Sequence, residues 1–145
     1  MEHSPRFLKL VDEARRKVRE IGVEDVRRKI ESGESFLLLD VREPEEWSRG
    51  HLPEALHLCK GVLERDIERL APDPDTPIVL YCGGGYRSVL AAESLARMGY
   101  RNVASMAGGW RAWTAENYPV ERNRREVRRG ARQAAERTAR PRRPR

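Results

Sequence analysis

Residues 80–90 read L-Y-C-G-G-G-Y-R-S-V-L. An apolar run ends at Cys82, three glycines follow, and Arg87-Ser88 leads into a second apolar-rich stretch. A cysteine is a nucleophile as its thiolate, and a helix N-terminus and a nearby arginine both favour that form. Gly83, Gly84 and Gly85 allow backbone conformations in which successive N–H groups curl around an anion. With Cys82 at the carboxyl end of a strand and a helix starting at Ser88, the Gly83–Ser88 amides converge on one point with a helix dipole behind them. A plain strand–turn–helix junction accounts for the glycines but not for the cysteine and arginine together. The stretch therefore points to a thiolate on Cys82 and a bound negative charge, held by the amides of Gly83, Gly84, Gly85, Tyr86, Arg87 and Ser88.

Ligands of open parallel sheets bind outside the carboxyl ends of the strands, so the elements around Cys82 matter. SFLLLDV (35–41) is an unbroken apolar run of strand length, the pattern of a strand buried on both faces. ALHL (55–58) and PIVLY (77–81) repeat it, and NVASM (102–106) is a weaker strand. Helical patterns lie between them: Leu63, Ile67 and Leu70 in register over GVLERDIERL, then SVLAAESLARM stopped by Gly99, then GWRAWTAENY. Ser4-Pro5 starts an amphipathic N-terminal helix that runs to about residue 17. The VREI stretch after it reads equally as helix end or short strand. A second short helix covers Glu24–Glu31 and stops at Ser32-Gly33. Strands alternating with helices predict an α/β domain with a mostly parallel sheet of about five strands.

The chain has 145 residues and a formal charge of +6, about the size of one domain. The charge is unevenly placed. Residues 121–145 hold eleven arginines against three glutamates, a surplus of eight, so the preceding 120 residues carry −2. Three regions follow: an N-terminal helical extension over 1–17, an α/β body over 18–120, and a basic tail over 121–145 that is partly helical or disordered. The tail could meet RNA or an acidic protein through phosphate or carboxylate neutralisation, or serve simply as a solvated appendage. No apolar run approaches the ~20 residues of a membrane span, and charges interrupt every apolar cluster of the N-terminus, unlike a signal peptide. The two cysteines, Cys59 and Cys82, are too few for a disulfide scaffold and lack C-x-x-C spacing. With only His3, His51 and His57 beside them, no metal site is expected, and a reduced cytoplasmic thiol protein fits best.

C82-G-G-G-Y-R87-S88 resembles the active-site loop of the rhodanese-like sulfurtransferases, C-x-x-G-x-R followed by Ser or Thr. FLLLDVREPEEWSRGHLPEALHL resembles that family's LLDVRE…E(F/W)…GHIPGA segment, and NVASMAGGWRAW its V…L.GG..AW segment. The resemblance spans roughly residues 18–120. It implies the three-layer rhodanese-like fold and a thiosulfate sulfurtransferase-like activity. Cys82 would take the outer sulfur of thiosulfate or a related donor as a persulfide and pass it to a thiol or cyanide acceptor. Arg87 would orient the donor, Asp40 and Arg42 would line the rim of the site, and no cofactor would be needed.

Glu54 stands where the family usually has glycine, so a positive φ there would be strained. Cys59 could resolve a Cys82 persulfide as a disulfide. The family's sheet order, however, puts one strand between the two, ~10 Å apart, beyond the usual ~6.8 Å Cα limit; a structural role is favoured. His51 reads as a local hydrogen-bonding residue, Trp47, Trp110 and Trp113 as packing, and Asp40 could equally cap the turn that follows it. Two rival functions remain. One is a phosphatase or arsenate reductase, in which five residues lie between the cysteine and the arginine where here only four intervene. The other is a persulfide carrier that delivers sulfur to a protein or tRNA.

Overall fold

The structure is a computed structural model, described over residues 2–122. Helix α1 (Pro5–Arg15) leads to strand β1 (Arg19–Ile21) and helix α2 (Val23–Glu31). Strand β2 (Leu37–Asp40), the short helix α3 (Pro44–Ser48) and strand β3 (Leu56–His57) follow. A 3-10 turn at Lys60–Val62 runs into α4 (Leu63–Leu70), and β4 (Ile78–Tyr81), α5 (Tyr86–Arg97), β5 (Val103–Met106) and α6 (Gly109–Ala115) complete the domain.

The five strands form one sheet in the order β1-β5-β4-β2-β3, with every pairing parallel. Successive side chains of a strand point to opposite faces, and both faces here are covered. Leu39, Ile78 and Leu80 pack with Leu63 and Ile67 of α4 and Ala91, Ala92 and Leu95 of α5. Leu38, Val79 and Tyr81 pack on the other side with Val26 of α2 and Trp113 of α6. This double burial is why β2 and β4 read as unbroken apolar runs. The central strand β4 carries Cys82 just beyond its carboxyl end, beside the ends of β2 and β5.

The ambiguous VREI stretch resolves as β1, an edge strand in register with Ala104–Met106. Its partner lies more than eighty residues away, so no local pattern could have decided it. Helix α1 ends at Arg15 and packs against α5, burying Val11 and Ala14 on Val89. Pro5 stands at its first position as expected, although the Ser4 hydroxyl makes no capping bond. Glu54 has φ 67°, so the turn does demand the left-handed region that costs a side chain energy. Helix α5 begins at Tyr86, two residues before the expected Ser88.

Candidate functional site

Gly85 ends the loop at φ 94° and caps α5. A Cβ there would stand 3.0 Å from the Gly108 nitrogen, so both conformation and space require glycine. The early helix start has a chemical result. The first N–H groups of a helix have no partner within it, and the Ser88 amide, in the first turn, lies 3.4 Å from Cys82 Sγ, with the Gly85 amide at 3.2 Å. The Ser88 hydroxyl is 3.5 Å from the same sulfur and 2.8 Å from Ser105 Oγ on β5. Cys82, Ser88 and Ser105 are all buried. Once sulfur is anionic, Ser88 can donate to it while accepting from Ser105. Two amides and a relayed hydroxyl thus address one sulfur atom.

The loop is held from above by α6. Trp110 and Arg111 donate their backbone N–H groups to the carbonyls of Cys82 (2.8 Å) and Gly83 (3.0 Å). Gly109, at φ 55°, makes this approach possible, because a Cβ there would collide with the Cys82 carbonyl oxygen. The A-G-G-W sequence is therefore the device that seats α6 on the cysteine loop.

A cavity of about 480 Å³ opens over Cys82. The loop lines it with Gly84, Tyr86 and Arg87, α3 with Glu46, α6 with Arg111, and the N-terminal segment with His3 and Phe7. Arg87 is paired side-on with Glu46 through two bonds of 2.7 and 3.0 Å. The bonds from Arg87 hold the Glu46 carboxyl below the usual carboxylate range, and Glu46 in turn raises Arg87 further above its already high value. Arg111 makes no ion pair among the described residues and is exposed at the lip.

The sequence expectation for Asp40 and Arg42 needs correction. Rather than lining a rim, they form a buried ion pair, 0 % and 3 % exposed, behind the loop. Arg42 donates to both Asp40 oxygens at 2.7–3.0 Å and to the Gly50 carbonyl at 2.7 Å, and its guanidinium lies 4.6 Å from the Trp110 ring centroid. Asp40 Oδ1 also accepts the Arg42 backbone N–H at 2.9 Å, which caps the turn. Burial, reinforced by the Asp40 charge, pushes the neighbouring Tyr81 phenol upward, so it stays neutral while accepting the Leu52 N–H at 3.0 Å. This polar knot joins β2, β4, the Gly50–Leu52 turn and α6.

His51 is buried, donates through Nδ1 to the Leu52 carbonyl and stacks on Trp47 at 3.6 Å; it does not line the cavity. Cys59 follows β3, which β2 separates from β4, and its thiol lies 3.6 Å from Glu43 Oε2. Five residues at the site are not assigned to it by the sequence: Glu46, Ser105, Arg111 and the cavity-lining His3 and Phe7. Helix α3 was missed with Glu46, although Glu43-Pro44 followed by two acids is a helix-start signal and Glu46 does close a capping bond onto the Glu43 N–H. For Ser105 and Arg111 the signal is only their place beside Cys82, which the fold creates.

The protein is thus an α/β domain with a parallel sheet and a cysteine-bearing, amide-lined loop at the carboxyl end of its central strand. The rhodanese-like domain family matches residues 22–116, and the chain belongs to that family. The chain is 35% identical over 102 residues to a Bacillus subtilis (strain 168) protein provisionally named sulfurtransferase YtwF, covering 70% of this chain and 96% of that one. It is 34% identical over 97 residues to the provisionally named sulfur carrier protein YrkF of the same organism, covering 67% of this chain but spanning only 51% of YrkF. Among solved structures, a Rhodopseudomonas palustris CGA009 protein of unknown function, described as a possible tyrosine phosphatase, is similar with TM-score 0.72 and 30% identity over 83% of this chain and 99% of its own.

Proposed function

We propose that the protein is a sulfurtransferase whose Cys82 carries the transferred sulfur. The Cys82 thiolate attacks the outer sulfur of thiosulfate. A Sγ–S bond forms, the donor S–S bond breaks, and its electron pair leaves with sulfite. An acceptor thiolate or cyanide then attacks the outer persulfide sulfur and returns the Cys82 thiolate. Oxidation states balance without an added reductant, and two half-reactions through a covalent intermediate give ping-pong kinetics. The observation that carries this reading is the convergence of the Gly85 and Ser88 amides and the Ser88 hydroxyl on Cys82 Sγ. Such donors stabilise negative charge on sulfur and on the persulfide that extends from it. The residues of the loop, Gly83 to Ser88, are assigned to that cradle, and Arg87 to the donor's anionic end.

Phosphoryl transfer is the second reading, favoured by the description of the Rhodopseudomonas relative. Against it stands the length of the loop, in which four residues lie between Cys82 and Arg87, one fewer than in the phosphate-cradling loops of the same fold. Steady-state kinetics with thiosulfate and cyanide, alongside hydrolysis of an aryl phosphate, separate the two. Parallel double-reciprocal lines and no Cys82-dependent phosphate release are expected; Cys82-dependent phosphate release would replace the proposal.

A further inference from the structure

The family match begins at residue 22, yet the cavity over Cys82 is completed by residues that precede it. Helix α1 is fixed in place, since Val11 and Ala14 are buried against Val89 of α5. Its N-terminal end brings Phe7 and His3 against Tyr86 of the cysteine loop, with ring centroids 4.4 Å apart for His3–Tyr86 and 6.2 Å for Phe7–Tyr86. All three rings line the cavity.

The cavity thus has two unlike walls. One is aromatic; the other holds Arg87, Glu46 and Arg111. Its volume of about 480 Å³ falls in the range of about 300–1,000 Å³ typical of sites for organic ligands, far more than a sulfur-oxygen dianion fills. Arg87 is paired with Glu46, so the cavity offers a bare dianion less positive charge than its two lining arginines alone would suggest. An apolar group against the aromatic wall gains by leaving water.

We infer that His3 and Phe7 are specificity-determining residues, and that the cavity takes a sulfane-sulfur donor with an apolar organic body in preference to thiosulfate. The inference rests on the sulfur-transfer reading and names its substrate class. In the probe reaction the Cys82 thiolate attacks the outer sulfur of an organic thiosulfonate. The Sγ–S bond forms, the S–S bond of the donor breaks, and the electron pair leaves with the organic sulfinate. The carbon body lies on Phe7, His3 and Tyr86, and the sulfonyl oxygens face Arg87 and Arg111.

The test compares benzenethiosulfonate, methanethiosulfonate and thiosulfate as donors to the full chain, with cyanide as acceptor. The readout is the ratio of kcat/KM for the benzene over the methane donor in wild type, Phe7→Ala and His3→Ala. Comparing this ratio between proteins cancels the donors' own reactivities. Phe7→Ala should lower it about tenfold, or about 1.4 kcal/mol, and His3→Ala should lower it in the same direction. His3 precedes α1 and is not part of its packed face, so its variant remains decisive if Phe7→Ala does not fold. A ratio unmoved by the folded variants overturns the inference. If no donor, thiosulfate included, places sulfur on wild-type Cys82, the sulfur-transfer reading fails and takes this inference with it.

Discussion

Glu46 decides how much of the Arg87 charge an incoming anion meets. The two side chains share a two-bond ion pair and are each about one-third exposed. Because Arg87 holds the Glu46 carboxyl below its ordinary range, the pair is fully formed above the unfolded carboxylate value of about 4.3. It is lost only as pH falls through the lower folded value. Glu46→Gln should therefore free Arg87 at neutral pH and lower the thiosulfate KM roughly threefold to fivefold, the scale of a partly exposed pair worth up to about 1 kcal/mol. An unchanged or raised KM in Glu46→Gln would show that the pair positions Arg87 rather than masks it. None of this was visible in the sequence, where Glu46 is one of three glutamates within four residues. Cys82, Arg87 and the glycines were legible because a thiol, three missing side chains and an arginine rarely meet by packing needs alone.

At the scale of elements, the cysteine loop is positioned less by β4 than by the helices that bracket it. The N-terminus of α5 supplies amides to Sγ, and the N-terminus of α6 binds the carbonyls on the loop's other side. Gly109 is the contact that admits α6, at a left-handed φ and with no room for a Cβ. Gly109→Ala should destabilise the domain by about 1–3 kcal/mol, the usual range for overpacking, and slow alkylation of Cys82 as the loop shifts. Denaturant titration and the rate of iodoacetamide labelling check both; an unchanged labelling rate would mean that α6 does not set the loop. The buried strands were legible because both their faces are apolar. Strand β1 was not, because its three residues are exposed or half-buried and only pairing with β5 defines it. The five-residue helix α3 was too short for a period to register.

Across the whole molecule, the Asp40–Arg42 pair ties the loop's surroundings together without touching the cavity. Removing one charge of a buried pair leaves the other unsatisfied, at a cost of about 3–5 kcal/mol. Asp40→Asn should lose stability on that scale in thermal or denaturant unfolding, while the molecules that remain folded still load sulfur on Cys82. Wild-type stability with abolished loading would instead restore these residues to the rim. The sequence placed them correctly in order but could not say which way they face, since a strand-end carboxylate can point to solvent or to a turn. The Arg-rich segment accounts for the chain's basic charge; apart from its first two residues it lies outside the described ones, and with it the choice between an RNA or acidic-protein contact and a solvated appendage. No helix among the described residues is long and apolar enough to cross a membrane. The most direct test of the account is intact-protein mass after thiosulfate treatment and desalting, for wild type, Cys59→Ser and Cys82→Ser. A gain of one sulfur, about 32 Da, in wild type and Cys59→Ser but not in Cys82→Ser is the predicted result for a covalent intermediate on Cys82. A gain that persists in Cys82→Ser would contradict it.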